Sequence, residues 1–529
     1  MTQNILPVYY QRRHTRPVPV GAYGAVIGGD APVLVQTMTD TPTLDVEAST
    51  AQALRLAAAG AGLVRLTAQT AKHAAALGDI RRRLDAAGCR VPLSADIHFN
   101  PAAAFEAALH VEKVRINPGN FADPGRTFRK LEYTDEEYAA EIDRIAERLR
   151  PLLDLCRERH VALRLGVNHG SLSDRIMSRY GDTPEGMVES AMEYLRICRA
   201  NDFNDVVVSI KASNVVVMTR TVRLLVAAMA AEDMCYPLHL GVTEAGDGED
   251  ARIKSGAGIG SLLADGIGDT IRVSLSEPPE NEIPVARDLL THISRIAERN
   301  KAQDAATTFD FGKSGLTPLD GDIYVAGVDD GADAPDKEIS ASDPIEWRRR
   351  LAEYIAGGGR DKVTARITYP ATLSGEALSL VAAIDFGTLL LTPLPLLAGI
   401  CIDAPGATAE EIARLSLSIM QACRRRITRT EYIACPGCGR TLFDLRETLG
   451  RVRQATLHLT GLKIAVMGCV VNGPGEMADA DYGYVGAAVG HVSLYRRREC
   501  VSRNIPQDRA VDELIRLIKD CGDWVEPQQ

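Results

Sequence analysis

Four residues near the end of the chain could together hold a soft metal centre: Cys435, Cys438, Cys469 and Glu476. Cys435 and Cys438 form a CxxC pair on a Pro-Gly turn, and Cys469 follows a run rich in apolar residues. Thiolates at such positions can converge on one metal site. Glu476 comes after an Asn-Gly-Pro-Gly turn and is the nearest polar candidate for a fourth ligand. A carboxylate among thiolates would be the weaker, exchangeable ligand, which suits chemistry better than storage.

Two kinds of metal centre are compatible with this pattern. A structural zinc site requires a fourth Cys or His, which His458, His491 or Cys500 could supply. With Glu476 as the fourth ligand, the set instead indicates an iron-sulfur cluster with one position not bound by Cys. The CxxC pair taken alone does not decide between the two.

The preceding part of the chain alternates short β-branched runs with Ala-rich amphipathic stretches. The pattern predicts eight strands, at 33–38, 63–68, 92–99, 113–119, 162–168, 206–213, 238–246 and 270–276. Helices are predicted between them, among others at 46–60, 71–88, 135–159, 183–201 and 215–232. Eight strand-helix units over about 250 residues are typical of a closed (β/α)₈ TIM barrel. An open dinucleotide-binding sheet is disfavoured because no GxGxxG turn follows the first strand.

The character of the sequence changes twice after the barrel, which predicts an α/β protein of three domains. We expect a TIM-barrel domain at 1–298, an inserted α/β spacer domain at 299–430 and a small α+β domain with the cysteines at 431–529. In the insert, helices are predicted at 346–356 and 375–383, and strands at 362–368, 388–391 and 399–402. In the last domain, helices are predicted at 444–453 and 508–521, and a strand at 463–466.

Charged side chains recur near the ends of the predicted barrel strands, where TIM barrels place their active sites. Five of them are cations: Arg65, Arg115, Arg164, Lys211 and Arg272. The groups that could act as acids or bases are fewer, namely Asp96, His98 and Glu244. A single Arg near a strand end is more often an ion-pair partner than a ligand-binding group, but five at equivalent positions favour a ligand. The surplus predicts an anion with about two or more negative charges, and Arg forks match phosphate oxygens, so we expect a phosphate or diphosphate.

Composition excludes some other roles. The net charge of −10 argues against general nucleic-acid binding. No apolar run is long enough to span a bilayer and the first residues do not resemble a signal peptide, so we expect a cytoplasmic protein without a membrane segment. The remaining eight of the eleven cysteines are scattered and are expected to be reduced core thiols.

Motifs throughout the chain resemble those of one family, 4-hydroxy-3-methylbut-2-enyl diphosphate synthase of the non-mevalonate isoprenoid pathway. The similar stretches include 95–99, 115–120, 166–168, 211–213, 238–246 and 266–274 in the barrel, and 435–438 and 468–476 around the cysteines. They occur in the family's order and cover nearly the whole chain. The inserted block resembles the three-domain branch of the family rather than the two-domain branch.

The resemblance implies an oxidoreductase. The family's substrate is 2-C-methyl-D-erythritol 2,4-cyclodiphosphate, which is opened and dehydroxylated to (E)-4-hydroxy-3-methylbut-2-enyl diphosphate with two electrons. Cys435, Cys438, Cys469 and Glu476 would hold a 4Fe-4S cluster, with ferredoxin or flavodoxin as the electron donor. Catalytic roles would fall to Glu476, Glu244, Asp96 and His98. The substrate would be bound by Arg65, Arg115, Arg164, Asn168, Lys211, Arg272, Ser274 and Asn472.

Alternatives of other classes are a phosphate-binding barrel aldolase or pterin-type transferase with a structural zinc site, and a non-enzymatic, metal-responsive scaffold. In the family's two-domain branch, the cluster domain covers the barrel of the partner chain in a homodimer. We hypothesise that the inserted domain lets the cluster domain close over its own barrel. The sequence leaves a homodimer open.

Overall fold

The computed structural model describes residues 5–123, 132–301, 307–319, 321–329, 334–470, 473–477 and 479–527. Three short strands come first: β1 (Ile5–Pro7), β2 (Val18–Val20) and β3 (Ala25–Ile27). Eight parallel strands follow: β4 (Leu34–Met38), β5 (Leu63–Thr67), β6 (Leu93–Asp96), β7 (Lys113–Ile116), β8 (Ala162–Asn168), β9 (Val206–Lys211), β10 (His239–Leu240) and β11 (Thr270–Ile271). Their order is β10-β11-β4-β5-β6-β7-β8-β9, and a parallel bridge between Val208 and Leu238 joins β9 to β10. The sheet is therefore closed, and the predicted TIM barrel is confirmed.

Helices surround the barrel: α1 (Val46–Ala59), α2 (Ala71–Ala86), α3 (Pro101–Ala107), α4 (Asp135–Arg159), α5 (Asp174–Tyr180), α6 (Pro184–Ala200), α7 (Val215–Ala231), α8 (Gly248–Ser255), α9 (Ser261–Ala264) and α10 (Glu282–Arg299). Local sequence explains several of their starts. Thr134 and Glu137 form a capping box that begins α4, and the Asp45 side chain accepts the Ala48 N–H at the start of α1. The predicted bounds of the barrel helices agree with the observed ones to within two residues, whereas the helix predicted at 375–383 in the insert extends to Leu390.

The last two barrel strands are shorter than predicted. The predictions at 238–246 and 270–276 give only the two-residue strands β10 and β11. The residues after β10 leave the ladder as a loop, in which Glu244 has a φ of 52°. A non-glycine residue in this left-handed region is strained, and such strain is concentrated at functional sites.

Apolar side chains close the N-terminal end of the barrel. Strands β2 and β3 pair as an antiparallel hairpin across that end. Their side chains Val18, Val20 and Ile27 pack against Leu63, Ala162 and Val207 of the barrel wall. Burial of this layer excludes water from the floor, so the barrel interior is accessible only from the other end.

The inserted segment forms a four-stranded parallel sheet. Strand β12 (Thr308–Asp310) pairs with β1; then come β13 (Tyr324–Val325), β14 (Lys337–Ala341), α11 (Pro344–Ala356), β15 (Val363–Thr368), α12 (Gly375–Leu390), β16 (Leu397–Asp403) and α13 (Ala409–Ala422). The sheet order is β13-β16-β15-β14. The predicted strand at 388–391 is wrong, because these residues end α12. That helix is buried on almost all sides, and hydrophobic periodicity cannot distinguish such a helix from a buried strand.

Helix α12 fastens the insert to the barrel. It packs against the π-helical turn Gly256–Gly260 between α8 and α9. A Cβ at Gly260 would lie 2.6 Å from Cγ1 of Ile384, so only glycine permits this approach. At the same contact, His292 Nε2 and Asp385 Oδ1 lie 2.7 Å apart. The apolar core is accordingly continuous from the barrel through the insert.

The C-terminal segment has its own α+β sheet and a separate core, as predicted. Its elements are β17 (Glu431–Ala434), α14 (Leu445–Thr456), β18 (Lys463–Met467), α15 (Gly473–Glu476), β19 (Tyr482–Ala488), β20 (His491–Arg496), β21 (Glu499–Pro506) and α16 (Gln507–Asp520). Strands β17 to β19 are parallel, whereas β19, β20 and β21 form an antiparallel meander that the sequence analysis missed. Within the described part of the chain, no helix is sufficiently long and apolar to cross a membrane.

Candidate active site

The open end of the barrel carries a ring of buried charges. Arg65, Arg115, Arg164, Lys211 and Arg272 are each at least 93% buried, and so are Asp96, His98 and Glu244. Strand register brings them together, since Asp96 is opposite Arg115 and Arg115 is opposite Arg164 on successive strands. Because residues paired across a parallel sheet point to the same face, all three side chains enter the barrel.

Arg115 is the centre of a hydrogen-bond network. Its Nη1 donates to Asp96 Oδ1 at 3.1 Å and to Nε2 of His98, and its Nη2 donates to Asn168 Oδ1 at 3.2 Å. Burial and the Arg115 charge lower the pKa of His98 to about 3, so the imidazole is neutral at pH 7. With Nε2 accepting from Arg115, the proton is on Nδ1, which has no partner in the part of the chain that the structure describes. His98 is therefore fixed in one tautomer with a free donor.

The five predicted cations are not equivalent. Arg272 is neutralised within the protein, because its Nε and Nη2 donate to the two carboxylate oxygens of Glu282 at 3.0 and 2.8 Å. Arg65, in contrast, has its Nε against the Met38 sulfur at 3.2 Å. Burial and the neighbouring cations lower the pKa of Arg65 to about 10, and the pKa of Lys211 is lowered well below its usual value for the same reasons. Asp96 alone cannot balance Arg65, Arg115, Arg164 and Lys211, so the predicted surplus of positive charge is present.

The cysteine-bearing loop lies directly over this ring. A parallel bridge joins Ala434, at the end of β17, to Ala245 in the loop after β10. Ser276 Oγ donates to the carbonyl of Cys435 at 2.9 Å. Arg440, two residues after Cys438, places its Nη2 2.7 Å from Asp96 Oδ2 and is 93% buried. These contacts occur within one chain, as expected if the C-terminal domain closes over its own barrel.

A close approach of two glycines inserts Glu476 into the barrel mouth. The backbone of Gly475 packs directly on that of Gly170, which follows β8, and a Cβ on either residue would collide with the other. The next residue, Glu476, accepts a hydrogen bond from Asn168 Nδ2 at 2.7 Å through Oε1. Thr243 Oγ1 lies 3.4 Å from its other oxygen. The Gly-Pro-Gly sequence before Glu476 is therefore explained by packing.

Glu244 and Glu476 form a buried carboxyl pair. Burial, followed by the Glu476 charge, raises the pKa of Glu244 well above its usual value. Burial also raises the pKa of Glu476. Two carboxylates so close together cannot both be ionised in a site of low dielectric constant, so the pair holds a proton at neutral pH. Glu244 Oε2 has no partner among the described residues.

These groups enclose a cavity of about 100 Å³ between the barrel and the cysteine loop. Most of the predicted site residues line it: Arg65, Asp96, His98, Arg115, Arg164, Asn168, Lys211, Glu244, Arg272, Ser274, Cys435, Cys438 and Cys469. Glu476 does not line the cavity itself, but its carboxylate accepts a hydrogen bond from Asn168, which does. Asn472 lies outside the described residues.

Sequence reasoning missed several residues of the site. Met38, Thr243 and Arg440 also line the cavity. Glu282 lies behind its wall and neutralises the charge of Arg272. Arg440 had a detectable signal, because a cation two residues after a CxxC pair lies next to the thiols. Glu282 had none, since it begins a surface helix and reaches the barrel only through tertiary packing.

The thiols of Cys435, Cys438 and Cys469 line one cavity and are the soft donors that an iron-sulfur centre uses. Burial, together with the neighbouring Cys438 and Cys469, raises the pKa of Cys435 to about 12, so the thiol stays protonated unless a cation is bound to the sulfur. The Gly468 N–H points at Cys435 Sγ at 3.2 Å, a contact that stabilises a metal-bound thiolate. The side chains considered for a zinc site lie elsewhere: His458 Nε2 is 2.8 Å from the Val525 carbonyl, and His491 Nδ1 is 3.2 Å from that of Val489. Among the described residues, no three His, Cys, Asp or Glu side chains form a group that could hold a metal ion.

Two protein-family models match the parts of the chain that form this site. The GcpE TIM-barrel domain matches residues 15–287, and the GcpE protein C-terminal domain matches residues 431–520. The chain belongs to the GcpE family. Both parts of the cavity wall, the cation ring and the cysteine loop, thus lie within GcpE domains.

Curated members of the GcpE family match along almost their entire length. The protein of Parabacteroides distasonis named 4-hydroxy-3-methylbut-2-en-1-yl diphosphate synthase (flavodoxin) is 47% identical, over 98% of this chain and 99% of its own. Proteins of the same name from Akkermansia muciniphila and Protochlamydia amoebophila are 44% and 39% identical, over 99% and 98% of this chain and 99% and 97% of their own. Among solved structures, Yersinia pestis dihydropteroate synthase matches 53% of this chain and 98% of its own with a TM-score of 0.35 and 13% identity.

Proposed function

We propose that this chain is an oxidoreductase that converts 2-C-methyl-D-erythritol 2,4-cyclodiphosphate to (E)-4-hydroxy-3-methylbut-2-enyl diphosphate. The observation that carries the proposal is that one cavity is lined both by a ring of unbalanced cations and by three cysteine thiols. The names of the full-length relatives support it. An aldolase, a pterin-type transferase or a scaffold would not require both halves of this cavity.

The cation ring binds the diphosphate. Arg65, Arg115, Arg164 and Lys211 line the cavity with donors that the protein does not fully engage, and guanidinium forks match phosphate oxygens. Arg272 contributes less, because Glu282 occupies most of its donors. Opening the ring breaks a C–O bond to the diphosphate, and the charge that develops on the departing oxygen is stabilised by these cations.

The polar groups beside the cations position the carbon skeleton. His98 offers its Nδ1–H, while Asn168 is fixed by Arg115 on one side and by Glu476 on the other. A hydroxyl group of the substrate must leave as water and therefore needs a proton. The Glu244–Glu476 pair holds one at neutral pH next to the cavity, so we assign the proton donor to this pair.

The thiols of Cys435, Cys438 and Cys469 would hold a 4Fe-4S cluster. When bound, the cluster supplies the two electrons of the reaction one at a time and a Lewis-acidic iron. Glu476 is the proposed fourth, replaceable ligand. In the structure its carboxylate is bonded to Asn168 and Glu244 of the barrel, so ligation of iron requires it to exchange these partners. The electron donor proposed from the relatives' names is a flavodoxin.

The test is to purify the protein without oxygen, then measure iron, labile sulfide and product formation. Wild-type protein should be brown, contain about four iron and four sulfide per chain, and form the allylic diphosphate when given the cyclic diphosphate and a low-potential reductant. Cys438→Ser should lose the cluster and the activity. Cys235→Ser, a matched change outside the cavity, should retain both. Colourless wild-type protein with one zinc per chain would refute the proposal.

A further inference from the structure

The barrel interior beneath the cavity contains buried polar atoms that have no hydrogen-bond partner among the described residues. They are Ser94 Oγ, Lys113 Nζ, Arg164 Nε, Ser209 Oγ and His239 Nε2. Each of the five residues is at least 98% buried. Unpaired polar atoms at this depth are costly, so most are satisfied by water or by a ligand.

Strand register places these five side chains on the inner face of the barrel. Ser94 and Lys113 are each two residues before a cavity-lining residue, Asp96 and Arg115, and are paired with each other across β6 and β7. Ser209 likewise precedes Lys211 by two residues, and the Val208–Leu238 bridge makes it a neighbour of His239. Because side chains alternate along a strand, positions two apart point the same way. The set therefore lies around one space inside the barrel.

This space is distinct from the diphosphate site. Of the five residues only Arg164 lines the cavity above. Below, the apolar layer of Leu63, Ala162 and Val207 with the β2–β3 hairpin closes the floor. Arg164 is the link between the two levels, because its Nη1 is 2.9 Å from His239 Nδ1 and its Nη2 is 3.7 Å from Asp96 Oδ1.

The unpaired atoms are donors. Arg164 offers an N–H, and the two serines offer hydroxyls, which can accept as well as donate. Lys113 offers its Nζ; burial and the charges of Arg164 and Arg65 lower the pKa of this group well below its usual value, an effect that a neighbouring anion would counteract. His239 Nδ1 accepts from Arg164, so the proton of the neutral ring is on Nε2 and this nitrogen is also a donor. The carboxylate of Asp96, 3.7 Å from Arg164 Nη2, already pairs with Arg115 and Arg440. Gln36, another inward residue, donates its amide N–H to Thr270 Oγ1 at 2.6 Å.

We propose that Ser94, Lys113, Arg164, Ser209 and His239 form a binding site for a small inorganic anion of halide size inside the barrel. Five donors around the side chains of Lys113 and Arg164, with no carboxylate among the five residues, match an anion, because an anion offsets the positive charge that burial makes costly. The closed floor and the separation from the cavity limit the occupant to a small ion. Bound there, the anion offsets the charges of Lys113 and Arg164 and so stabilises the folded barrel. The site shares Arg164 with the proposed diphosphate site, whereas its other four residues do not line the cavity.

The direct test is crystallography of the full-length protein grown in bromide instead of chloride. An anomalous peak is expected inside the barrel, between Lys113 Nζ and His239 Nε2. Water density without an anomalous signal at this position, or bromide found on the surface alone, would overturn the proposal.

A solution test uses thermal unfolding of the full-length protein at constant ionic strength, with sodium gluconate replaced stepwise by sodium chloride. The wild-type midpoint should rise with chloride and saturate, since a ligand that binds only the folded state stabilises it. Lys113→Met should abolish the rise, whereas Lys313→Met, at an exposed lysine, should retain it. An equal chloride response in Lys113→Met and wild type would contradict the site. If Lys113→Met does not fold, Ser209→Ala should lower the apparent chloride affinity, and an unchanged affinity would count against the proposal.

Discussion

Arg440 and Asp96 form a buried ion pair that joins the cysteine loop to the barrel mouth, with Nη2 and Oδ2 2.7 Å apart. Arg440 also lies beside Cys438, and Asp96 beside Arg115. One pair thus connects the proposed cluster side of the cavity to the diphosphate side. Both residues belong to the same chain, as expected if the C-terminal domain closes over its own barrel.

The two members of this pair should differ in their importance for stability. Asp96→Asn removes the anion that faces Arg115, Arg164 and Arg440, and should cost about 3–5 kcal/mol of the free energy of unfolding. Arg440→Gln should cost less, because Asp96 keeps its other partners. Urea unfolding of both single variants and the double variant would give a coupling energy of about 0.5–3 kcal/mol. Arg446→Gln, in an exposed ion pair with Asp40 at the same interface, should change stability by at most about 0.5 kcal/mol. Additive effects of the two buried substitutions would contradict the pairing.

The neutral state of His98 should appear in the pH dependence of stability. Its folded-state pKa of about 3 is below the unfolded value of about 6.5, so only the unfolded chain takes up a proton between these values. This contribution to stability is complete above pH 6.5 and is lost as the pH falls toward 3. When the pH is lowered from 7.5 to 5, the free energy of unfolding measured in urea should therefore fall less for His98→Asn than for wild type. His160→Asn, at an exposed left-handed position that Asn tolerates, should behave like wild type. If the free energy of unfolding depended on pH identically in His98→Asn and wild type, His98 would not be a neutral buried side chain.

Lys211 and Arg272 should separate ligand binding from protein stability. Lys211→Met should weaken binding of inorganic pyrophosphate about 10- to 100-fold, because a charged hydrogen bond contributes about 1.5–3 kcal/mol. Arg272→Met should chiefly destabilise the fold, because it leaves Glu282 buried without its partner. Calorimetric titration and urea unfolding of both variants measure the two effects. Lys254→Met, whose ammonium contacts the Tyr432 carbonyl outside the cavity, is the control for binding. If Lys211→Met bound pyrophosphate with the same affinity as wild type, Lys211 would not be part of the diphosphate site.

Closure within one chain predicts the outcome of a mixing experiment. Arg115→Ala should inactivate the barrel half and Cys438→Ser the cysteine half of the site. Because each chain builds its cavity from its own two halves, a mixture of the variants should be as inactive as either alone. Product formation by the mixture, with wild type diluted to equal concentration as the reference, is the measurement. Recovered activity would show that the cysteine loop of one chain covers the barrel of another.

The barrel and most of its site were predictable because the signals are local. A β-branched strand with a charge at every second position, as in Lys113-Val-Arg115, shows both the inner face and the residues on it. Strand order then follows from the chain, so Asp96, Arg115 and Arg164 had to be neighbours. The CxxC pair and Cys469 were equally visible, since turn residues next to thiols are a short-range pattern.

Tertiary structure decided what each of these groups faces. Arg272 is neutralised by Glu282, and Arg440 reaches Asp96 across 344 positions of the chain. Neither contact produces a periodic pattern in the sequence, because each depends on how elements distant in the chain pack together. The same is true of the carboxyl pair, whose pKa values are raised by burial and, for Glu244, by the charge of Glu476, and of the unpaired donors around Lys113. The sequence by itself determined which chemical groups enter the barrel, whereas only the packed structure determined which of them remain free to bind a ligand.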